Sequence, residues 1–350
     1  MMIRVLIAED SPTVRDLLVW VLQSDPEIEV VGAARDGLEA IRLAARTRPN
    51  VIIMDLHMPN LDGFEASKRI MEETPTPIVV VSASMEPAAL QSTFEALRVG
   101  ALAAVEKPTG PANPNFEDTR QKLLTTVKLM ADVKVVRRWR TKDPHRSHPE
   151  ATQHPIAAAS RPQQGQIATV ALAASTGGPG AVHQVLSRLP TDLPVPILVV
   201  QHINPGFGQG LAEWLDRTTD LTVRTARQGE TPIPGCVLVA PDDRHMLIRP
   251  GGQILLSPRT PGNGICPSAD RLFASMAKSF GRRSLGVIMT GMGRDGVEGL
   301  RLLKAAGGMT VAQDETSCVV FGMPKEAIAA GIVDHVVPLE RIAATIVDLI

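Results

Sequence analysis

Val51-Ile52-Ile53-Met54-Asp55-Leu56-His57-Met58-Pro59-Asn60-Leu61-Asp62-Gly63 begins with an apolar run and breaks on a carboxylate, a proline and a glycine. An unalternated, β-branched run of that kind reads as a strand buried on both faces. Helical spacing continues from Gly63 to Glu72. Outward from this stretch the same alternation repeats. Ile3–Ala8, Glu29–Ala33, Ile78–Ser82 and Leu102–Val105 read as strands, and Pro12–Gln23, Gly37–Arg46 and Pro87–Val99 as helices. A further helix is expected from about Glu117 to Trp139. Repeated βα units with short connections imply a parallel sheet with helices on both faces.

The chain has 350 residues, more than one core usually holds, so a second domain is expected. Between Thr141 and Gln164 the alternation stops in a stretch of prolines, small residues and three histidines, His145, His148 and His154. That composition marks a linker, and nothing in the spacing of the histidines fixes a metal site. From Ile167 the α/β alternation resumes. Strands are expected at Ile167–Ala173, Pro196–Gln201, Cys236–Ala240, Leu285–Thr290 and Met309–Ala312. Helices are expected at Ala181–Leu189, Leu211–Arg217, Ser268–Phe280, Val297–Ala305 and Leu339–Leu349. Met246–Arg249 and Gln253–Ser257, joined through Pro250-Gly251-Gly252, read as a β-hairpin. The expected organisation is therefore a first domain over 1–120, a helical extension and Pro-rich linker over 121–164, and a second α/β domain over 165–350.

Composition narrows the function. Thirty-six basic against 37 acidic side chains leave a net charge of −1, which argues against a nucleic-acid binder and against a polybasic membrane anchor. The longest uncharged stretch, Pro162 to Val182, is too interrupted to span a bilayer. The first apolar run meets Glu9 and Asp10 too early for a signal peptide. Three separated cysteines, Cys236, Cys266 and Cys318, fit neither a disulfide framework nor a zinc site, and a cytoplasmic chain is expected. There is no tyrosine, so no mechanism can use one.

Glu9 and Asp10 end the first strand and Asp55 the third. In a doubly wound sheet these ends share one crevice, where three carboxylates repel one another and call for a hard divalent ion such as Mg²⁺. Ser82 ends the fourth strand, and Lys107 comes after the fifth, before Pro108. A hydroxyl and an ammonium beside a metal suit an aspartyl phosphate, with Asp55 as the central carboxylate and phosphoacceptor. Glu9-Asp10, Asp55-Leu56-His57-Met58-Pro59 with Asp62-Gly63, Val81-Ser82-Ala83 and Lys107-Pro108 together resemble the receiver domain of bacterial response regulators. The resemblance implies a flavodoxin-like (βα)5 fold and adds His57 to the metal ligands Glu9, Asp10 and Asp55. It also implies a histidine kinase as phosphodonor. Ala104 stands where receivers often carry an aromatic residue.

In the second domain, Ala171-Leu172-Ala173-Ala174-Ser175-Thr176-Gly177-Gly178-Pro179-Gly180 reads as a strand, a glycine turn and a helix start. Ser175 at such a strand end, beside free helix N–H groups, has the form of a nucleophile with an oxyanion site. His202 comes directly after an apolar strand and His245 is its rival as a base; His183 and His335 read as structural. Gly291, Gly293 and Gly296, with Asp314 beyond, meet the bare terms of a dinucleotide fingerprint. Asp295 inside that turn would, however, face an anionic pyrophosphate.

Ala174-Ser175-Thr176-Gly177-Gly178-Pro179, Gln201-His202, Ala240-Pro241 with His245-Met246, and Thr290-Gly291-Met292-Gly293-Arg294-Asp295-Gly296 resemble the chemotaxis protein-glutamate methylesterases. So do Pro267-Ser268-Ala269-Asp270 with Arg271-Leu272-Phe273, Gln313-Asp314, and Gly322-Met323-Pro324. Phe321 and Arg224-Thr225-Ala226-Arg227 depart from the family pattern. The resemblance implies a doubly wound, mostly parallel serine-esterase domain. It carries over Ser175 as nucleophile, His202 as general base and Asp295 as its orienter. The N–H groups of Thr176 and Met292 are then the oxyanion donors. The function so implied is that of a phosphorylation-activated hydrolase, a monomer, that removes methyl groups from glutamate γ-methyl esters of chemoreceptors and deamidates receptor glutamines. Mg²⁺ serves the receiver and no cofactor serves the esterase. A non-catalytic, partner-binding output domain and a nucleotide-dependent enzyme are the competing readings.

Overall fold

The computed structural model describes residues 2–82, 103–131, 133, 167–203, 206–259 and 265–350. The expected helix at Pro87–Val99 and the linker histidines lie outside these residues, as does nearly all of the expected helix beyond Ala131.

The N-terminal sheet has strands β1 (Ile3–Ala8), β2 (Ile28–Ala34), β3 (Val51–Asp55), β4 (Ile78–Ser82) and β5 (Ala103–Glu106) in the order β2-β1-β3-β4-β5. All pairings are parallel. Helices α1 (Pro12–Gln23), α2 (Gly37–Thr47), α3 (Gly63–Glu73) and α4 (Phe116–Ala131) accompany it. Asp36 and Asp62 start α2 and α3, each carboxylate accepting the N–H three residues on, from Glu39 and Glu65. The order reverses beside β1, so the C-terminal ends of β1 and β3 flank the switch point, where such sheets place their sites.

The second sheet is larger and wholly parallel. Its strands are β6 (Thr169–Ala174), β7 (Ile197–Gln201), β8 (Thr222–Thr225), β9 (Cys236–Val239), β12 (Ser284–Ile288), β13 (Met309–Gln313) and β14 (His335–Val337). They run in the order β14-β13-β12-β6-β7-β9-β8. Strands β6 and β7 are buried throughout, and alternate residues enter opposite cores: Val170 and Leu172 one, Ala171 and Ala173 the other. The helices are α5 (Gly178–Leu186), α6 (Gly208–Thr218), α7 (Ala269–Phe280), α8 (Val297–Ala305), α9 (Met323–Ala329) and α10 (Leu339–Leu349).

The hairpin forms from β10 (Arg244–Ile248) and β11 (Ile254–Pro258), with Ile248 opposite Ile254 and Gly251 and Gly252 at positive φ. Against the sequence expectation, β10 starts two residues and ends one residue earlier, and β11 starts and ends one residue later. Edge strand β8 escaped sequence reading because Arg224 interrupts a short polar run, and α9 because it is one short segment entered through Pro324. No helix among the described residues is long and apolar enough to cross a membrane.

Candidate active site and phosphoacceptor pocket

Two sites stand at the C-terminal ends of the two sheets. In the first, Glu9, Asp10 and Asp55 each place a carboxylate oxygen within 4.8 Å of the others. The Lys107 ammonium lies 2.8 Å from both Glu9 Oε2 and Asp55 Oδ2. Glu9, Asp55, Ser82 and Lys107 are all buried, whereas Asp10 is exposed. Burial pushes the Glu9 carboxyl up, only partly opposed by the Lys107 ammonium. Burial works against the Lys107 charge, but hydrogen bonds to Asp55 and Glu9 outweigh it and raise that group's pKa. The Arg15 guanidinium donates to the main-chain oxygens of Glu9 and Asp10, holding that turn. The pocket is a compact set of hard oxygen donors, which fits Mg²⁺. The His57 ring is not among them; this residue meets the pocket through its backbone N–H, 3.3 Å from Asp55 Oδ1.

The second site is built at the ends of β6, β7 and β12. Ser175 comes directly after β6, its N–H donating to the Thr290 carbonyl at 3.0 Å. Gly177 takes φ 76°, a left-handed conformation that turns the chain at once into α5. Gly291 must be a glycine for a different reason: a Cβ there would lie 2.6 Å from the Ser175 Cβ. His202 comes directly after β7, and its Nε2 lies 2.8 Å from Asp295 Oδ2.

Asp295 is held at the start of α7. Its carboxylate accepts Ser268 Oγ at 2.8 Å, the Ala269 N–H at 2.7 Å and the Asp270 N–H at 3.2 Å. Burial alone would raise its pKa, yet the bonds from His202, Ala269 and Ser268 hold it below the ordinary carboxylate range. Neighbouring Asp270 is raised, by burial first and by the Asp295 charge. A carboxylate at a helix N-terminus is doubly favoured, by free N–H groups and by the dipole.

The rival base is placed elsewhere. His245 lies on β10, buried, with neither ring nitrogen partnered among the described residues. His183, in α5, stacks on Trp214 of α6, and His335 begins β14. Asp314 does not reach toward a ribose; its carboxylate accepts the Ser317 N–H and hydroxyl. Among the described residues the N–H groups of Thr176 and Met292 donate no hydrogen bond. Gln201, Ser268, Thr290 and Gln313 also frame this site, and of these only Ser268 is marked in the sequence, as the N-cap of a helix.

A cleft of about 380 Å³ opens over the second site. Ser175, Thr176, Gly177, Gln201, His202 and Ile203 form one wall, and Ala103, Ala104, Val105, Gln121, Lys122 and Thr125 the other. The N-terminal domain thus stands across the second site with β5 and α4.

Residues 170–346 match the family model described as CheB methylesterase, and residues 5–113 match that of the response regulator receiver domain. The chain belongs to the CheB methylesterase family. It is 49% identical over 342 residues to a protein of Myxococcus xanthus named protein-glutamate methylesterase/protein-glutamine glutaminase 4, covering 98% of this chain and 95% of that one. A protein of Nitrosospira multiformis with the same name, unnumbered, is 46% identical over 349 residues, covering 100% and 97%. The crystal structure of the Thermotoga maritima CheB methylesterase catalytic domain is 38% identical with a TM-score of 0.51, covering 53% of this chain and 99% of that chain.

Proposed function

We propose that this chain is a phosphorylation-activated protein-glutamate methylesterase that also deamidates glutamines of chemoreceptors, resetting sensory adaptation. The observation that carries the reading is the 2.8 Å His202–Asp295 pair on the cleft that exposes Ser175. Asp295 occupies Nε2 and so leaves Nδ1 of His202 to take the Ser175 proton. Ser175 Oγ attacks the ester carbonyl, and the N–H groups of Thr176 and Met292 receive the oxyanion. Methanol leaves with the proton held by His202. Water, deprotonated by the same ring, cleaves the acyl-enzyme to glutamate and restores Ser175. With a glutamine substrate the leaving group is ammonia.

Residues 1–120, with the rest of α4 through Ala131 packed in the same core, act as the receiver, the stretch from there to 164 as connection and 165–350 as the esterase. A histidine kinase supplies the phosphoryl group to Asp55, with Ser82 and Lys107 holding its oxygens. Glu9, Asp10 and Asp55 hold Mg²⁺, with His57 at the pocket edge. Bound there, such an ion would offset charge on the phosphoryl oxygens. The unphosphorylated receiver restricts access to the esterase; support for this comes from β5 and α4, which line the cleft opposite Ser175. The chain works in the cytoplasm as a monomer.

The deciding assay measures methanol release from methylated receptor and the mass change of receptor glutamines, with and without a small phosphodonor and Mg²⁺. Methanol release that is absent, or unchanged by Ser175→Ala, contradicts the reading.

A further inference from the structure

We propose that Gln201 is a positioning residue that sets the oxyanion-binding peptide of the nucleophile turn, an inference that rests on the esterase reading above. Its side chain is buried at the end of β7, with the residue only 3% exposed. The two hydrogens of its Nε2 go to two main-chain oxygens, that of Ser175 at 2.7 Å and that of His202 at 2.9 Å. No other uncharged side chain brings two donors on one atom at this length.

The Ser175 carbonyl also accepts the Gly178 N–H at 2.8 Å. That carbonyl and the Thr176 N–H are the two ends of one planar trans peptide, so they point in opposite directions. Pinning the oxygen from the protein side therefore aims the Thr176 N–H away, toward the cleft that Thr176 lines. The next peptide is pinned as well, because Thr290 Oγ1 donates to the Thr176 carbonyl at 3.0 Å. With both planes held, the oxyanion donor is preorganised and need not reorient as charge develops.

The glutamine itself is wedged. A Cβ on Gly178 would lie 2.1 Å from Gln201 Oε1, so the amide rests directly against the start of α5. Oε1 is buried and has no hydrogen-bond partner among the described residues. Leaving a buried acceptor unpaired costs stability. That cost is tolerated for the two bonds that the NH₂ end makes.

The test uses the full-length chain, phosphodonor, Mg²⁺ and methylated receptor, with Gln201→Met and Gln201→Glu. Methionine keeps the length without donors. A carboxylate turns oxygens toward two carbonyls, so Gln201→Glu is the more damaging at neutral pH, and its deficit relative to the unsubstituted chain at the same pH shrinks as acidification protonates it. Loss of preorganisation should lower kcat about 10- to 100-fold with KM within about twofold. Affinity for an alkylboronic acid, which forms a tetrahedral anion on a serine, should fall by a factor similar to kcat. Unchanged kcat overturns the proposal. So does a fall in kcat with boronate affinity intact, since that pattern reports structural damage rather than a misaimed donor. Should Gln201→Met fail to fold, Gln201→Glu carries the same comparison. If the unsubstituted chain releases no methanol, or Ser175→Ala releases it normally, the esterase reading fails and takes this proposal with it.

Discussion

Asp295→Asn is the most informative single change, because the structure dictates how the new amide must sit. Each carboxylate oxygen accepts a backbone N–H, Oδ2 from Ala269 and Oδ1 from Asp270. Either orientation of the amide therefore sets its NH₂ against a donor. Placed at Oδ2, the NH₂ would oppose both the Ala269 N–H at 2.7 Å and the His202 Nε2–H at 2.8 Å. Placed at Oδ1, it opposes only the longer Asp270 contact at 3.2 Å, and the Ser268 hydroxyl can rotate to accept from it. The second orientation wins. It keeps an oxygen on His202 Nε2, so the ring retains its tautomer and Nδ1 can still accept the Ser175 proton. What is lost is the negative charge that stabilises the imidazolium. Replacing a charge-assisted bond by a neutral one costs about 2–4 kcal/mol here, or roughly 30- to 1000-fold in kcat. The donor–donor contact with Asp270 should cost stability, about 1–3 kcal/mol. Methanol release measured beside urea unfolding separates the two effects. Activity within threefold of the unsubstituted chain would mean that Asp295 does not serve His202. A loss beyond about 10⁴-fold would mean that the amide orients the other way and inverts the tautomer.

Ser175→Ala should remove demethylation by about 10⁴- to 10⁶-fold with the fold intact, and His202→Ala should be comparably damaging. His245→Ala should be milder, and the reverse ranking in the methanol assay would transfer the base to His245. A fragment from Gln164 onward should be active without a phosphodonor and more so than the unphosphorylated full-length chain; equal kcat/KM for the two would refute restriction by the receiver. Phosphodonor and Mg²⁺ should activate the full-length chain but not Asp55→Ala. Burial, and then the Arg271 charge, lower the pKa of His245 below its ordinary 6.5. The unfolded chain thus binds a proton that the folded ring refuses, so this contribution to stability is complete above about pH 6.5 and declines below it as far as the folded value. Urea unfolding at pH 7.5 and 5.5 should show a smaller acid-side loss for His245→Leu, and an equal loss would exclude His245 as a source.

Much of this molecule is legible along the chain because its strands are short, apolar and buried on both faces. Period and composition alone locate β1, β3, β4, β6 and β7, and a parallel sheet brings strand ends to one rim. Glu9, Asp10, Asp55, Ser82, Lys107, Ser175 and His202 therefore stand out in the chain itself as polar residues at strand ends. Which of them meet is another matter. The pairing of His202 with Asp295 spans 93 residues, and that of Ser268 with Asp295 spans 27. Such contacts depend on the strand order β12-β6-β7, which local periodicity does not encode. His202 and His245 look equivalent in sequence, since each lies beside an apolar strand. Only the fold sets a carboxylate in hydrogen-bond contact with the first and buries the second with neither ring nitrogen partnered among the described residues. The two hydrogen bonds donated by Gln201 and the approach of β5 and α4 to Ser175 are likewise invisible in one dimension. Both arise where separately specified elements pack, and packing joins groups whose sequence separation carries no signal.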